Sequence, residues 1–312
     1  MTLARIVVVR GGRSLEREIS LRSGHHVASA LRHRGHDVDE VDVDEGLTAH
    51  LESADAVFVA LHGRDGEDGT IQLVCEALGL PYTGSPPLTC RFCFDKGLAK
   101  GLLNHAGLPT PAAFVLSADA VRHMGAGNAL KRAAARIGFP LVVKPSAQGS
   151  GLGITIVESA GELNAAALTA FNHGDRILLE QFVHGTDVSI ALFGPDLAPL
   201  PAVEIRTRSK VFDFETRVSP GAFDFVCPTD FDGDSVRGVA LRAARALGLR
   251  DFGRVDLRIS DDGPAILDVK TCPGLTETSI LPFAASAGDV AFDDFVGEVL
   301  DAALTRAPTA RT

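Results

Sequence analysis

The chain has 312 residues, a formal charge of −10, and apolar and charged shares of 46% and 22%, both ordinary for a globular protein. That length supports two or three domains with real cores. The acidic balance argues against nucleic acid or an anionic membrane as the main partner, and no apolar run is long enough to span a bilayer.

In chain order, the start carries no signal-peptide pattern and leads into a buried strand over residues 5–9. A helix over 23–34, strands over 37–41 and 56–60, and a helix over 70–78 follow. This alternation predicts a parallel sheet with helices on its faces. Residues 81–87 are turn-rich and mark a first boundary. A helix over 95–106, ended by Gly107 and Pro109, opens a second unit. That unit continues with a helix over 128–136, a strand over 141–144, a Gly-rich loop, a strand over 153–157, a helix over 160–171 and a strand over 177–181. The third unit is richer in strands, at 187–193, 202–205, 254–259 and 265–269, with helices over 235–247 and 292–304. The predicted division is 1–93, 94–185 and 186–312. The five cysteines, Cys75, Cys90, Cys93, Cys227 and Cys272, are thinly spread and odd in number, which suits a reducing cytoplasm. Cys90 and Cys93 form a CxxC with no second pair or His cluster nearby, and read as ordinary buried thiols.

Several segments carry chemistry. Near the C-terminus, Arg254 and Asp256 sit two apart on one strand. After the gap 260–263, Asp268 and Lys270 share a phase on the next. Inward carboxylates on neighbouring strands suit Mg²⁺, and a metal beside Arg and Lys suggests phosphate chemistry. The loop after Lys144 holds Gly149, Ser150, Gly151 and Gly153 between two strands. Its amides can approach an anion and Lys144 can reach a phosphate, although such a hairpin is also a common structural element. It is neither a P-loop nor GxGxxG. Glu180, Phe182, Val183 and Asp187 can line a nucleotide or simply end a strand. Gly11 and Gly12 after the first strand put Glu16 at the ligand-binding edge of a parallel sheet, where it can hold an ammonium group or merely help start a helix. His62 and Glu67 support the same pocket or serve structure. Residues 273–279 offer hydroxyls and free amides to a carboxylate.

Together, GGRSLEREISLRSG, HGRDGEDGTIQ, PYTGS, DKGLAK, AGLPTP, FPLVVKPSAQGSGLG, GRVDLR and CPGLTETSILPFAASAG resemble the D-alanine–D-alanine ligases of the ATP-grasp superfamily, in that family's order and over almost the whole chain. The resemblance implies an α/β, three-domain ATP-grasp fold with an N-terminal parallel α/β domain. It implies a ligase that phosphorylates one amino acid's carboxylate with ATP and Mg²⁺, after which a second amino acid's amine attacks the acylphosphate. By position, Lys96 and Lys144 would contact ATP phosphates under the glycine loop, Glu180, Phe182 and Val183 would border adenine, and Asp187 would hold ribose. Arg217 would join the nucleotide contacts. Glu16 would bind the first ammonium, with Ser150 and His62 beside it. Arg254 and the amides near Gly274 would stabilise the tetrahedral intermediate, Ser279 would hold the second carboxylate, and Asp256 and Asp268 would ligate Mg²⁺. The expected partners are small amino-acid substrates and a second copy of the chain as a homodimer, in the cytoplasm, with no nucleic acid and no membrane.

The chain departs from the family in three places. Asp268-Val269-Lys270 replaces the usual Glu-x-Asn, and a charged Lys cannot ligate a metal, so Lys270 would meet the triphosphate in place of one metal. Residues 211–218 lack the usual tyrosines, so Val218 cannot lock with Glu16 and Ser150 in favour of D-alanine as second substrate. Gly151 replaces the second serine of the glycine loop. The alternatives are a related ligase of specialised metabolism with another amino-acid-like substrate, and a nucleotide-binding protein without turnover.

Overall fold

The computed structural model of the chain describes residues 3–208, 216, 219 and 221–306. It holds three sheets. In the first, β1 (Arg5–Arg10) lies between β2 (Asp37–Asp42) and β3 (Ala56–Val59), parallel to both. Ile6, Val7, Val8 and Val9 are wholly buried, as both faces of a central parallel strand are covered. The crossovers run through α1 (Arg17–His33) and α2 (Leu47–Leu51), and α3 (Thr70–Leu78) follows β3.

Two helices come next, α4 (Pro87–Phe94) and α5 (Lys96–His105). The sequence reading takes residues 81–87 as turn, assigns nothing to the residues between them and the next helix, and so misses α4. Pro87 instead sits at the first helical position, where its missing N–H costs no hydrogen bond. Asp95 caps α5, accepting from the Gly97 and Leu98 amides at 3.0 and 3.3 Å.

The second sheet is antiparallel, in the order β4 (Ala113–Ser117), β7 (Arg176–Gln181), β5 (Leu141–Pro145), β6 (Thr155–Val157). Two of its three helices, α7 (Gly127–Ile137) and α8 (Leu163–Phe171), pack on Leu141, Val143, Ile177 and Leu179, while α6 (Ala118–His123) follows β4. Side chains alternate along a strand, so Lys144 and Glu180 face the other way.

The third sheet runs β11 (Phe223–Val226), β10 (Val203–Thr207), β8 (Thr186–Phe193), β12 (Phe252–Ser260), β13 (Gly263–Lys270), with β9 (Ala198–Pro199) beside β8. One face, including Val188, Ile190, Val255, Leu257 and Ile266, packs on α9 (Asp234–Leu247). That turns Arg254, Asp256 and Arg258 to the opposite face. Helices α10 (Ile280–Ala287) and α11 (Phe292–Leu304) complete the described fold. Phe295, Val299 and Leu300 of α11 share a core with Ile6, Val8 and Phe58, so the last helix covers the first sheet. The sequence reading also misses α2, α6, α10, β4, β9 and β11, which are short and carry little periodic signal. All five cysteines are free thiols, four of them buried, including Cys90 and Cys93. No described helix is long and apolar enough to cross a membrane.

Candidate active site

The free faces of the second and third sheets enclose a cleft. Lys96, Lys144, Ser150, Glu180, Phe182, Val183, Asp187, Asp256, Asp268 and Lys270 all line it, although they come from segments up to 174 residues apart (96 to 270). Lys144 Nζ donates to Glu180 Oε1 at 2.6 Å, and Lys100 Nζ, on α5, lies 2.5 Å from Glu180 Oε2. Burial alone would raise the Glu180 pKa, but Lys144 and Lys100 outweigh it and hold the carboxyl below its usual range. Lys96 reaches into the glycine loop, donating to the Gln148 carbonyl at 2.9 Å, and pairs with Asp268 at 3.3 Å.

Hairpin β12–β13 bears four charges in a square. Arg254 stands opposite Lys270 and Asp256 opposite Asp268. Like charges face each other across the strands, which is destabilising unless other groups compensate. Here they do. Arg254 donates to both Asp256 oxygens, at 2.7 and 2.8 Å, and Ser189 of β8 donates to Asp256 at 2.6 Å. Lys270 Nζ lies 3.2 Å from Glu67 and 3.7 Å from Asp268. Burial would raise the Asp268 pKa, but Lys96 and Lys270 hold it down to about 2. A β-bulge makes the square possible. Leu257 pairs with Ile266 but Asp256 with Asp268, so Leu267 is the extra residue. Without it Asp268 would turn into the apolar core with Val255.

Loops of the first sheet close one end. Glu16 is buried, and Ser150 Oγ donates to its Oε1. Its Oε2 has no hydrogen-bond partner among the described residues. Ser150 adopts φ of 50°, unusual for a side-chain-bearing residue and a sign of local constraint. A Cβ on Gly149 would collide with the Glu16 carboxylate, so glycine permits this approach. His62 is buried, with Nε2 2.8 Å from Ser23 Oγ and Nδ1 3.1 Å from the Cys272 carbonyl. Burial lowers its pKa and favours the neutral ring.

The sequence reading puts His62 at a substrate. In the structure both ring nitrogens instead hold protein groups, and His62 does not line the cleft. Ser23 also accepts from the Leu275 amide at 3.1 Å, so His62 and Ser23 brace the segment that carries Gly274. Ser279 precedes α10 and bonds to Thr276, at 3.2 Å to the amide and 2.8 Å to the hydroxyl. Arg254 is absent from the cleft lining among the described residues and donates to Asp256, which lines it. Asp187, expected at ribose, pairs with Arg258 at 2.6 Å, and Arg258 also donates to the Val183 carbonyl at 3.1 Å and lies over the Phe182 ring. Arg217 and Val218 lie outside the described residues.

Sequence reasoning missed Lys100, Arg258 and Ser189. Lys100 is one helical turn from Lys96, and Arg258 continues the alternation of Arg254 and Asp256, so both carried a periodic signal. Ser189 carried none, because only strand register places it opposite Asp256. Among the described residues no group of three or more His, Cys, Asp or Glu could hold a metal. Two carboxylates in an open cleft fit Mg²⁺, which usually takes one or two protein carboxylates and completes its shell with water and phosphate.

Sequence models of the D-ala D-ala ligase C-terminus and N-terminus match residues 102–301 and 40–85. A D-alanine–D-alanine ligase of Desulforudis audaxviator is 40% identical over 309 residues, spanning 97% of this chain and 99% of that one. The crystal structure of D-alanine–D-alanine ligase from Bacillus anthracis complexed with ATP matches with a TM-score of 0.81 at 27% identity, over 96% of this chain and 97% of that one. The VanG D-Ala:D-Ser ligase of Enterococcus faecalis matches with a TM-score of 0.83 at 26% identity, over 96% and 99%.

Proposed function

This chain belongs to the D-alanine–D-alanine ligase family, and on that premise we propose the roles of its cleft residues. The protein is an ATP-dependent ligase that forms a C–N bond between two amino acids, using ATP and Mg²⁺. A carboxylate oxygen of the first amino acid attacks the γ-phosphorus, giving an acylphosphate and ADP. The amine of the second then attacks the carbonyl carbon, loses a proton and expels phosphate.

Lys96 and Lys144 hold the phosphates, the glycine loop covers them, and Glu180, Phe182 and Val183 border the base. Asp187 turns from Arg258 to the ribose. Asp256 and Asp268 hold Mg²⁺, which supplies charge neutralisation to the phosphates when bound. Lys270 offers a further cation there, in place of one metal. The observation that carries the reading is the meeting of Lys96, Lys144, Asp256 and Asp268 in one cleft. Glu16 Oε2, buried with no donor among the described residues, is the acceptor for the first ammonium. Arg254 turns from Asp256 to the developing oxyanion, which it stabilises with the amides near Gly274. Ser279 and the start of α10 take the second carboxylate.

Positional oxygen exchange in ATP with the first amino acid alone tests the acylphosphate, given reversible phosphorylation and free rotation of the phosphate. Arg254→Ala should lose about two to three decades in rate. A kinetically competent Arg254→Ala enzyme would refute its role. Val218, which lacks a hydroxyl, favours a second-substrate pocket less strict for D-alanine, and strong preference for D-alanine at both positions would overturn that. A homodimer would use Leu73 and Leu88, which are exposed and line one surface hollow, and a monomer in sedimentation would refute it. Thinly spread free thiols favour a cytoplasmic setting.

A further inference from the structure

Lys100 belongs to no role described so far. It is buried on α5, does not line the cleft, and touches Glu180 Oε2, the Thr110 hydroxyl at 2.6 Å and the Ile266 carbonyl. A charged side chain removed from water is costly, and an apolar residue of the same volume is often as stable or more so. Burial pushes the Lys100 ammonium down in pKa and Glu180 pushes it back.

The charges around the cleft show what the ammonium does. Among the described residues, Lys96 and Lys270 share Asp268 and Glu67, two cations against two anions. Arg254 faces Asp256, and Arg258 faces Asp187. At Glu180, by contrast, two ammonium groups share one carboxylate. Only one of the two, Lys144, opens onto the cleft. We propose that Lys100 is a positioning residue that neutralises Glu180 from behind, so that Lys144 keeps its full charge for the phosphates of the nucleotide. Without Lys100, Lys144 and Glu180 form a closed neutral pair, and a phosphate must compete with Glu180 for the one ammonium. With Lys100, Glu180 stays compensated while Lys144 swings to the phosphate.

This rests on the cleft's being the ATP site, and the experiment separates the two. Binding of a non-hydrolysable ATP analogue with Mg²⁺, and of adenosine, is measured for the wild type, Lys100→Met, Glu180→Gln and the double variant. The expected result is about tenfold weaker analogue binding in Lys100→Met, with adenosine binding changed less than twofold. On the Glu180→Gln background, where no carboxylate competes, Lys100→Met should change analogue binding less than twofold. A merely structural Lys100 would weaken both ligands, or weaken the analogue equally on both backgrounds, and either result overturns the proposal. Unchanged analogue binding in Lys100→Met does the same. Should Lys100→Met not fold, Lys100→Gln keeps a donor toward Thr110 without the charge, and the same outcomes decide. A wild type that binds no analogue refutes the ATP reading itself.

Discussion

Replacing Lys270 by Met probes the charge balance of the site at its most unusual residue. The ammonium sits 3.2 Å from Glu67 and 3.7 Å from Asp268, and the three side chains are only 11%, 5% and 16% exposed. Removing it leaves Asp268 with Lys96 at 3.3 Å, but leaves the Glu67 carboxylate, among the described residues, with just the Gly63 amide at 3.1 Å. Breaking a buried pair from one side costs about 3–5 kcal/mol, because the remaining charge is uncompensated. The surviving Lys96 and Gly63 contacts put Lys270→Met near the lower end, about 3 kcal/mol. Removing both charges in Glu67→Gln/Lys270→Met should bring stability back to within about 1 kcal/mol of wild type, since no stranded charge remains. Burial would lower the Lys270 pKa, but Glu67 and Asp268 raise it. A raised lysine pKa contributes stability that is complete below its unfolded value, about 10.4, and is lost only as pH rises through the higher folded value. Urea unfolding at neutral pH therefore reads the whole effect. Lys270→Met within 1 kcal/mol of wild type, or a double variant no more stable than the single, would refute the reasoning.

Other outcomes follow from the same geometry. Titrating Mn²⁺ into protein with a non-hydrolysable ATP analogue should give one tightly bound ion per chain, and Lys270→Asn should admit a second; two ions in the wild type would end the idea that Lys270 replaces one. Gly149→Ala pushes on the far end of the flexible Glu16 side chain, so stability should change by less than about 1 kcal/mol while the KM for the first amino acid rises about tenfold; an unchanged KM contradicts Glu16 as its ammonium site. Lys144→Ala should weaken nucleotide binding by one to two decades, the loss of a charge-assisted contact of about 1.5–3 kcal/mol, measured by calorimetry. Glu180, whose pKa is depressed, contributes stability that is present above its unfolded value of about 4.3 and lost as pH falls through the lower folded value. Urea midpoints from pH 6 to 3 should therefore fall less steeply in Glu180→Gln.

Much of this protein was decided by local rules that the sequence carries openly. Four buried aliphatic residues in β1 dictate a central parallel strand, and strict alternation in β12 puts Arg254 and Asp256 on one face whatever else packs nearby. The glycine loop, the caps and most helix spans follow from backbone freedom and periodicity within a few residues. Alternation misleads where the chain breaks its own period. Ile266, Asp268 and Lys270 share a phase in the sequence, yet Ile266 enters the core while the other two enter the cleft, because the bulge at Leu267 shifts the register. The pairings of the site were decided only in three dimensions. Glu67 reaches Lys270 across 203 residues and Lys100 reaches Glu180 across 80, and His62 spends both nitrogens on Ser23 and Cys272. A buried charge takes whichever opposite charge the packing of distant elements brings within about 4 Å, and no local pattern encodes that distance.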